Sequence, residues 1–132
     1  MKLWHVIIVL SSLFITGNAL AGDLSYTCQV HHIYSLSEKA ALVTSAYEND
    51  MKGSSFSVSR VTGEIIGDVV PTIMAKSTRV INKGSKDNSF KTVAEFDGQI
   101  QVIEVQEFRS GPIKPFMASS MGGAGIVTGT CK

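Results

Sequence analysis

Two cysteines, Cys28 and Cys131, lie near opposite ends of the segment that follows an apparent export signal, and the chain has no others. In an exported chain an even cysteine count reads as disulfide-bonded. Two cysteines allow only one pairing. The rival reading, two separate buried thiols, fits an oxidising compartment less well. The bridge would close nearly the whole mature chain. Disulfide-linked Cα atoms lie about 4.4–6.8 Å apart, and adjacent strands lie about 4.7–4.9 Å apart. The pairing therefore predicts that the first and last strands are neighbours, as they are in a closed barrel.

Residues 1–21 carry the three-part pattern of a cleaved secretory signal. Lys2 supplies the positive start, and Leu3 to Ile15 is apolar apart from His5, Ser11 and Ser12. Thr16-Gly17-Asn18 breaks the run, and Ala19-Leu20-Ala21 places small residues where a signal peptidase reads. A membrane-spanning helix needs about 20 apolar residues, so no stable membrane anchor is expected. No cysteine stands at the cleavage site to take a lipid. Cleavage after Ala21 would leave one mature domain, residues 22–132, in the periplasm or outside the cell. Removing Lys2 from the twelve basic residues leaves eleven, equal to the eleven acidic ones. A neutral domain lacks the basic surplus of a nucleic-acid binder.

The mature segment reads as short strands separated by turn residues. Leu24 to Ile33 is rich in β-formers, and Phe56-Ser57-Val58-Ser59 alternates with the period of a half-buried strand. Val61-Thr62-Gly63-Glu64 then reads as a turn before a return strand at Ile65-Ile66. Pro71 belongs at an edge or a strand start because it cannot donate to a ladder. Thr72 to Ile81 is extended, and Asn82 to Asn88 is a polar loop. Phe90, Thr92, Ala94 and Phe96 share a face before a hairpin turn at Asp97-Gly98. In Gln99 to Phe108 the apolar residues change phase, which calls for a bulge near Val102 or for two partly buried faces. Ile113 to Ala118 and Ile126 to Cys131 close the domain across Gly122 to Gly125. Between them, Ser35-Leu36-Ser37-Glu38 fits a capping box. Leu36, Ala40, Val43, Tyr47 and Met51 then recur at helical spacing. The pattern predicts a helix over residues 37–48, with a strand pair through Val43-Thr44 as the alternative. The expected fold is all-β: a small antiparallel barrel or sandwich of seven to eight strands, with at most one short helix.

Several motifs stand in a recognisable order: Tyr26-Thr27-Cys28, Phe56-x-Val58-x-Arg60-x-Thr62-Gly63, Ser89-Phe90-Lys91, Ile103-x-Val105-Gln106-Glu107-Phe108, Lys114-Pro115-Phe116 and Thr128-Gly129-Thr130-Cys131. This order resembles a group of small, uncharacterised secreted proteobacterial proteins, over nearly the whole mature segment. The resemblance implies an exported, single-domain protein and brings no activity with it. The chain is also similar in size, export and β-rich build to periplasmic lysozyme inhibitors, but their inhibitory loop motifs are not evident. That likeness is architectural, and fold does not imply function.

Candidate chemistry is sparse. His31 and His32 are adjacent, so a regular strand would point them to opposite faces. No Asp or Glu stands at a recognisable spacing to complete a zinc site with either. Glu95 with Asp97, or Glu104 with Glu107, could be imagined as an acid/base pair, but acids on strand edges are common surface features. There is no G-x-S-x-G, and Gly122 to Gly125 lacks the Lys-Ser/Thr ending of a phosphate loop. No cofactor, no metal and no enzymatic activity are expected.

Charge is unevenly spread. Lys76, Arg79, Lys83, Lys86 and Lys91 face only Asp87 within residues 76–91, whereas Glu95, Asp97, Glu104 and Glu107 follow. Arg79, Lys83, Lys86 and Lys91, with Gly122 and Gly123, are the candidate partner-binding residues. The plainer reading is a solvated loop beside a lysine-protected edge strand. The expected function is a non-enzymatic periplasmic binding protein, inhibitor- or immunity-like, whose partner is an envelope protein or a toxin. The alternative is a carrier of a small apolar ligand inside the barrel, lined by Phe56, Phe90, Phe96, Phe108 and Phe116.

Overall fold

Inward and outward side chains alternate along most of the segments that the sequence marks as β, and those segments form one curled sheet. The computed structural model describes residues 23–121 and 125–132. The expected signal, residues 1–21, and the candidate residues Gly122 and Gly123 lie outside the described residues. Nine strands are described: β1 (Ser25–Leu36), β2 (Leu42–Thr44), β3 (Ser55–Ser59), β4 (Ile65–Gly67), β5 (Ser77–Lys83), β6 (Phe90–Phe96), β7 (Gln99–Val105), β8 (Lys114–Met121) and β9 (Gly125–Cys131). One turn of helix, α1 (Glu48–Met51), interrupts them. Eight strands follow the path β4-β3-β1-β9-β8-β7-β6-β5, and β2 pairs with the far end of β1. All pairings are antiparallel. The expected all-β architecture is therefore present, with eight strands on the main path and β2 as a short ninth.

The sheet is strongly curled. In a flat sheet β1 and β6 would lie four strand spacings apart, about 19 Å. Instead the rings of Tyr26 on β1 and Phe90 on β6 have centroids 5.1 Å apart, edge to face. Phe56 and Phe116 make a second edge-to-face pair at 5.2 Å. With Val30, Ile33, Val58, Ile103 and Val105 these rings fill the concave side. Burying a side chain of this size is worth about 1.5–3 kcal/mol each.

Cys28 and Cys131 are bonded, with Cα atoms 4.0 Å apart. They are direct cross-strand partners on β1 and β9. Thr27 and Lys132 exchange both backbone hydrogen bonds next to them. The cysteines therefore occupy a non-hydrogen-bonded pair, where opposing strands approach most closely. The predicted adjacency of first and last strands holds. Its placement differs from a barrel closed at that point, because β1 and β9 lie in the middle of the sheet. At the ends of the main path, β4 and β5 each pair on one side only.

The helix predicted over residues 37–48 is absent. The Ser37 hydroxyl accepts from Ala41 N–H at 3.2 Å, Ala40 sits at φ +59, and Leu42–Thr44 returns as β2. A helix holds its place by burying one face, and of the five residues at helical spacing only Met51 packs on the core. Leu36, Val43 and Tyr47 are exposed. The alternative through Val43-Thr44 is the one realised. Thr72 to Ile81 is also only partly a strand: β5 starts at Ser77, and Pro71 stands between strands.

A register shift in β1 and the two-sided burial of β7 set which side chains face inward. The β1–β9 register shifts between Val30 and His32, so that Val30 and Ile33 are both fully buried. A bulge adds one residue and reverses the alternation. In β7 the pairing with β6 runs unbroken from Gln99 to Val105. The phase change there reflects two partly buried faces: Gln101, Ile103 and Val105 are buried inside, while Val102 is half-buried opposite Val93 outside.

Candidate functional site

The charge blocks seen in the sequence cancel across the sheet. Antiparallel pairing lays β5 and β6 against each other and then β6 against β7, so basic and acidic segments meet. Arg79 lies 3.6 Å from Glu95, Lys91 lies 4.0 Å from Glu104, and Lys76 contacts Asp97. All three pairs are solvent-facing, and such pairs contribute about 0–1 kcal/mol each. Two of the candidate partner-binding residues, Arg79 and Lys91, are thus engaged within the sheet. Lys83 ends β5 and Lys86 sits in the β5–β6 turn, both exposed and without an ion pair among the described residues. That turn is ordered by reciprocal backbone bonds between Ser85 and Asn88.

The imagined carboxylate pairs are likewise separated by their own partners. Glu104 accepts from the Ser89 hydroxyl at 2.6 Å. Glu107 accepts from the Tyr26 hydroxyl and pairs with Arg60 at 3.3 Å. The Arg60 guanidinium also lies over the Tyr26 ring, 4.6 Å from its centroid. Tyr26 is only 3% exposed. Burial first, and then the bond to Glu107, push its phenol well above its usual range. The Lys114 ammonium donates to the Glu107 carbonyl at 3.1 Å. This cluster ties β1, the end of β3 and the segment after β7 together at one end of the curled sheet.

The expectation that the histidines point to opposite faces is not met: the bulge keeps both out of the core, between buried Val30 and Ile33, and each has its own neighbour. His31 Nε2 lies 3.4 Å from the Thr130 hydroxyl, and His32 Nδ1 lies 3.7 Å from Glu48. Glu48 also accepts from Ile33 N–H at 3.0 Å, which replaces a strand partner there. That backbone bond, more than His32, holds the Glu48 carboxyl below its ordinary range. Among the described residues no group of three or more His, Cys, Asp or Glu is placed to hold a metal ion.

The region with the most conspicuous exposed apolar surface was not marked in the sequence as a site. β4 and β5 are the free edges of the sheet, and the chain between them runs along a groove of about 610 Å³. Ile65, Gly67, Pro71, Thr72, Ile73 and Thr78 line much of it. Ile73 is 87% exposed, Met74 81% and Ile66 75%. Large apolar side chains grouped on a surface mark contact sites more often than scattered ones do. The edges meet at one end through the β3–β4 turn, where Gly63 at φ +81 presses against Thr92 and the Arg79 backbone. The Thr92 hydroxyl bonds the Arg79 carbonyl at 2.8 Å and lies 3.3 Å from the Gly63 carbonyl. Away from that junction Ile65 is bonded by Thr72 alone: its N–H donates to the Thr72 hydroxyl at 2.8 Å, and its carbonyl accepts from Thr72 N–H at 3.1 Å.

The aromatic residues proposed to line a ligand cavity are split between interior and surface. Phe56, Phe90 and Phe116 are packed in the core, Phe96 is half-buried, and Phe108 is 41% exposed. Pro71 was the one sequence signal near the groove, since it marked a departure from the ladder. Compared with known families, curated proteins and solved structures, the chain matches no family model, no curated protein and no solved structure.

Proposed function

We propose that this chain is an exported, non-enzymatic protein of the periplasm that binds a protein partner, an envelope protein or a toxin, in the manner of an inhibitor or immunity protein. The observation that carries the reading is the open β4/β5 side, where Ile66, Ile73 and Met74 stand in solvent beside a groove between two free strand edges. Interfaces draw their affinity from apolar anchors and their specificity from a polar rim. Lys83 and Lys86 belong to such a rim and would set association rate more than affinity. An apolar ligand inside the barrel is less well supported, because the concave side is filled by Tyr26, Phe56, Phe90 and Phe116.

A photo-crosslinking residue placed at Ile73, and separately at Lys86, tests the assignment in the full chain expressed in an exporting bacterium. The expected result is one defined protein crosslinked from position 73, with the crosslink lost on Met74→Asp. Crosslinking from position 86 alone would move the site to the basic loop. No crosslinked protein from either position would overturn the reading.

A further inference from the structure

The chain between β4 and β5 combines a strained backbone with few tethers. Val70 sits at φ +46. A β-branched residue rarely adopts that conformation, and Val70 also precedes Pro71, which restricts it further. Its carbonyl accepts from the buried Gln101 amide on β7 at 2.7 Å. Val69 beside it is 2% exposed and anchors the segment in the core. Beyond Pro71, Thr72 takes both backbone groups of Ile65, with its hydroxyl in place of a ladder carbonyl. The segment then turns through the Ala75 N–H to Thr72 carbonyl bond, and Lys76 rejoins β6 through the Glu95 carbonyl at 2.7 Å. Ile73 and Met74, between these tethers, contribute little to the core.

We propose that residues 70–75, between the Val69 anchor and the Lys76 tether, form a strained strap across the open side between β4 and β5 that opens as a unit, with the Gln101 amide as its latch. Strain of this kind persists only where the surroundings over-determine it, and it favours a second state in which it is relieved. Opening breaks the Gln101–Val70 bond and the three Thr72–Ile65 bonds while the ladders on either side stay intact. It presents the Ile65 backbone pair and the groove floor to solvent, on the side that carries the exposed apolar residues. Local openings of this sort lie at the low-stability end of a fold. The inference does not depend on the partner proposed above, and its failure would leave the crosslinking result standing.

Hydrogen exchange on the full, oxidised chain reads the opening directly. Ile65 and Thr72 amides report the strap, and Ile103 and Val105 amides report global unfolding. The expected result is exchange at Ile65 and Thr72 well ahead of Ile103 and Val105. Gln101→Leu removes the latch and speeds the strap amides about tenfold. Val70→Gly and Val70→Asn accept a positive φ and slow them about tenfold. Exchange of Ile65 in step with Ile103 would overturn the proposal, as would an unchanged strap rate in Gln101→Leu. Faster strap exchange in both Val70 variants would remove the strain from it.

Discussion

Replacing Gly63 with alanine tests whether the two ladder-free ends of the sheet meet where the structure places them. Gly63 lies at φ +81, and a left-handed alanine costs about 1–2 kcal/mol. The added Cβ would also overlap the Thr92 hydroxyl and stand 3.3 Å from the Arg79 carbonyl carbon. The Arg79 atom is backbone held in a ladder, so Thr92 must move. Its hydroxyl would give up the 2.8 Å bond to the Arg79 carbonyl, and such overpacking costs about 1–3 kcal/mol. The expected loss for Gly63→Ala is therefore about 3 kcal/mol, or roughly 10–20 °C in melting temperature for a domain of this size. Gly53 supplies the control, because it lies at φ +85 with nothing within 4 Å of an added Cβ. Gly53→Ala should carry the backbone cost alone, about 1–2 kcal/mol. Urea unfolding followed by far-ultraviolet circular dichroism gives both values. A cycle with Thr92→Ala should show a coupling of about 1–2 kcal/mol with Gly63→Ala and none with Gly53→Ala. Equal losses for the two glycine variants would refute the seam contact.

Removing the disulfide with Cys28→Ala and Cys131→Ala frees a loop with a sequence separation of 103 and should cost about 4–5 kcal/mol by chain entropy, read from the urea midpoint. Tyr26→Phe should cost about 1.5–3 kcal/mol through the lost bond to the Glu107 carboxylate. The Tyr26 phenol is raised in the fold, so it contributes stability that is fully present below its ordinary value of 10.0 and is lost as pH rises above it. Urea midpoints taken between about pH 9 and 11 should therefore fall more steeply for the parent than for Tyr26→Phe.

What could be read from the chain follows the range of the interactions. The alternation of Phe90, Thr92 and Ala94 and the turn at Asp97-Gly98 are local, and they appear as β6 and its hairpin to β7. The adjacency of β1 and β9 is covalent and appears as well. The bridge names one pair of neighbouring strands, but it cannot name the pair left open, and here that pair is β4 and β5. The helix reading failed because Leu36, Val43 and Tyr47, exposed on a hairpin and the turn after it, mimic an amphipathic stripe by spacing alone. The basic and acidic blocks show the same limit of local pattern. A run of like charge says nothing about the strand that will lie beside it, and Arg79 and Lys91 were met by Glu95 and Glu104.

Several of the places where local rules fail fall in one stretch of the chain. Pro71 leaves an extended segment, Val70 takes a left-handed backbone before a proline, and a threonine hydroxyl replaces a ladder carbonyl at Ile65. Ile66, Ile73 and Met74 stay in solvent within the same stretch. The irregularity in β1, by contrast, is absorbed by burial: the bulge at His31 places Val30 and Ile33 in the core. A fold optimised only for stability would not gather strain, free edges and exposed apolar groups in one segment. Conflicts between local preference and fold concentrate where function is imposed. That convergence is the reason the proposed partner site is tested first at the open side between β4 and β5, with the basic turn at Lys83 and Lys86 as the comparison.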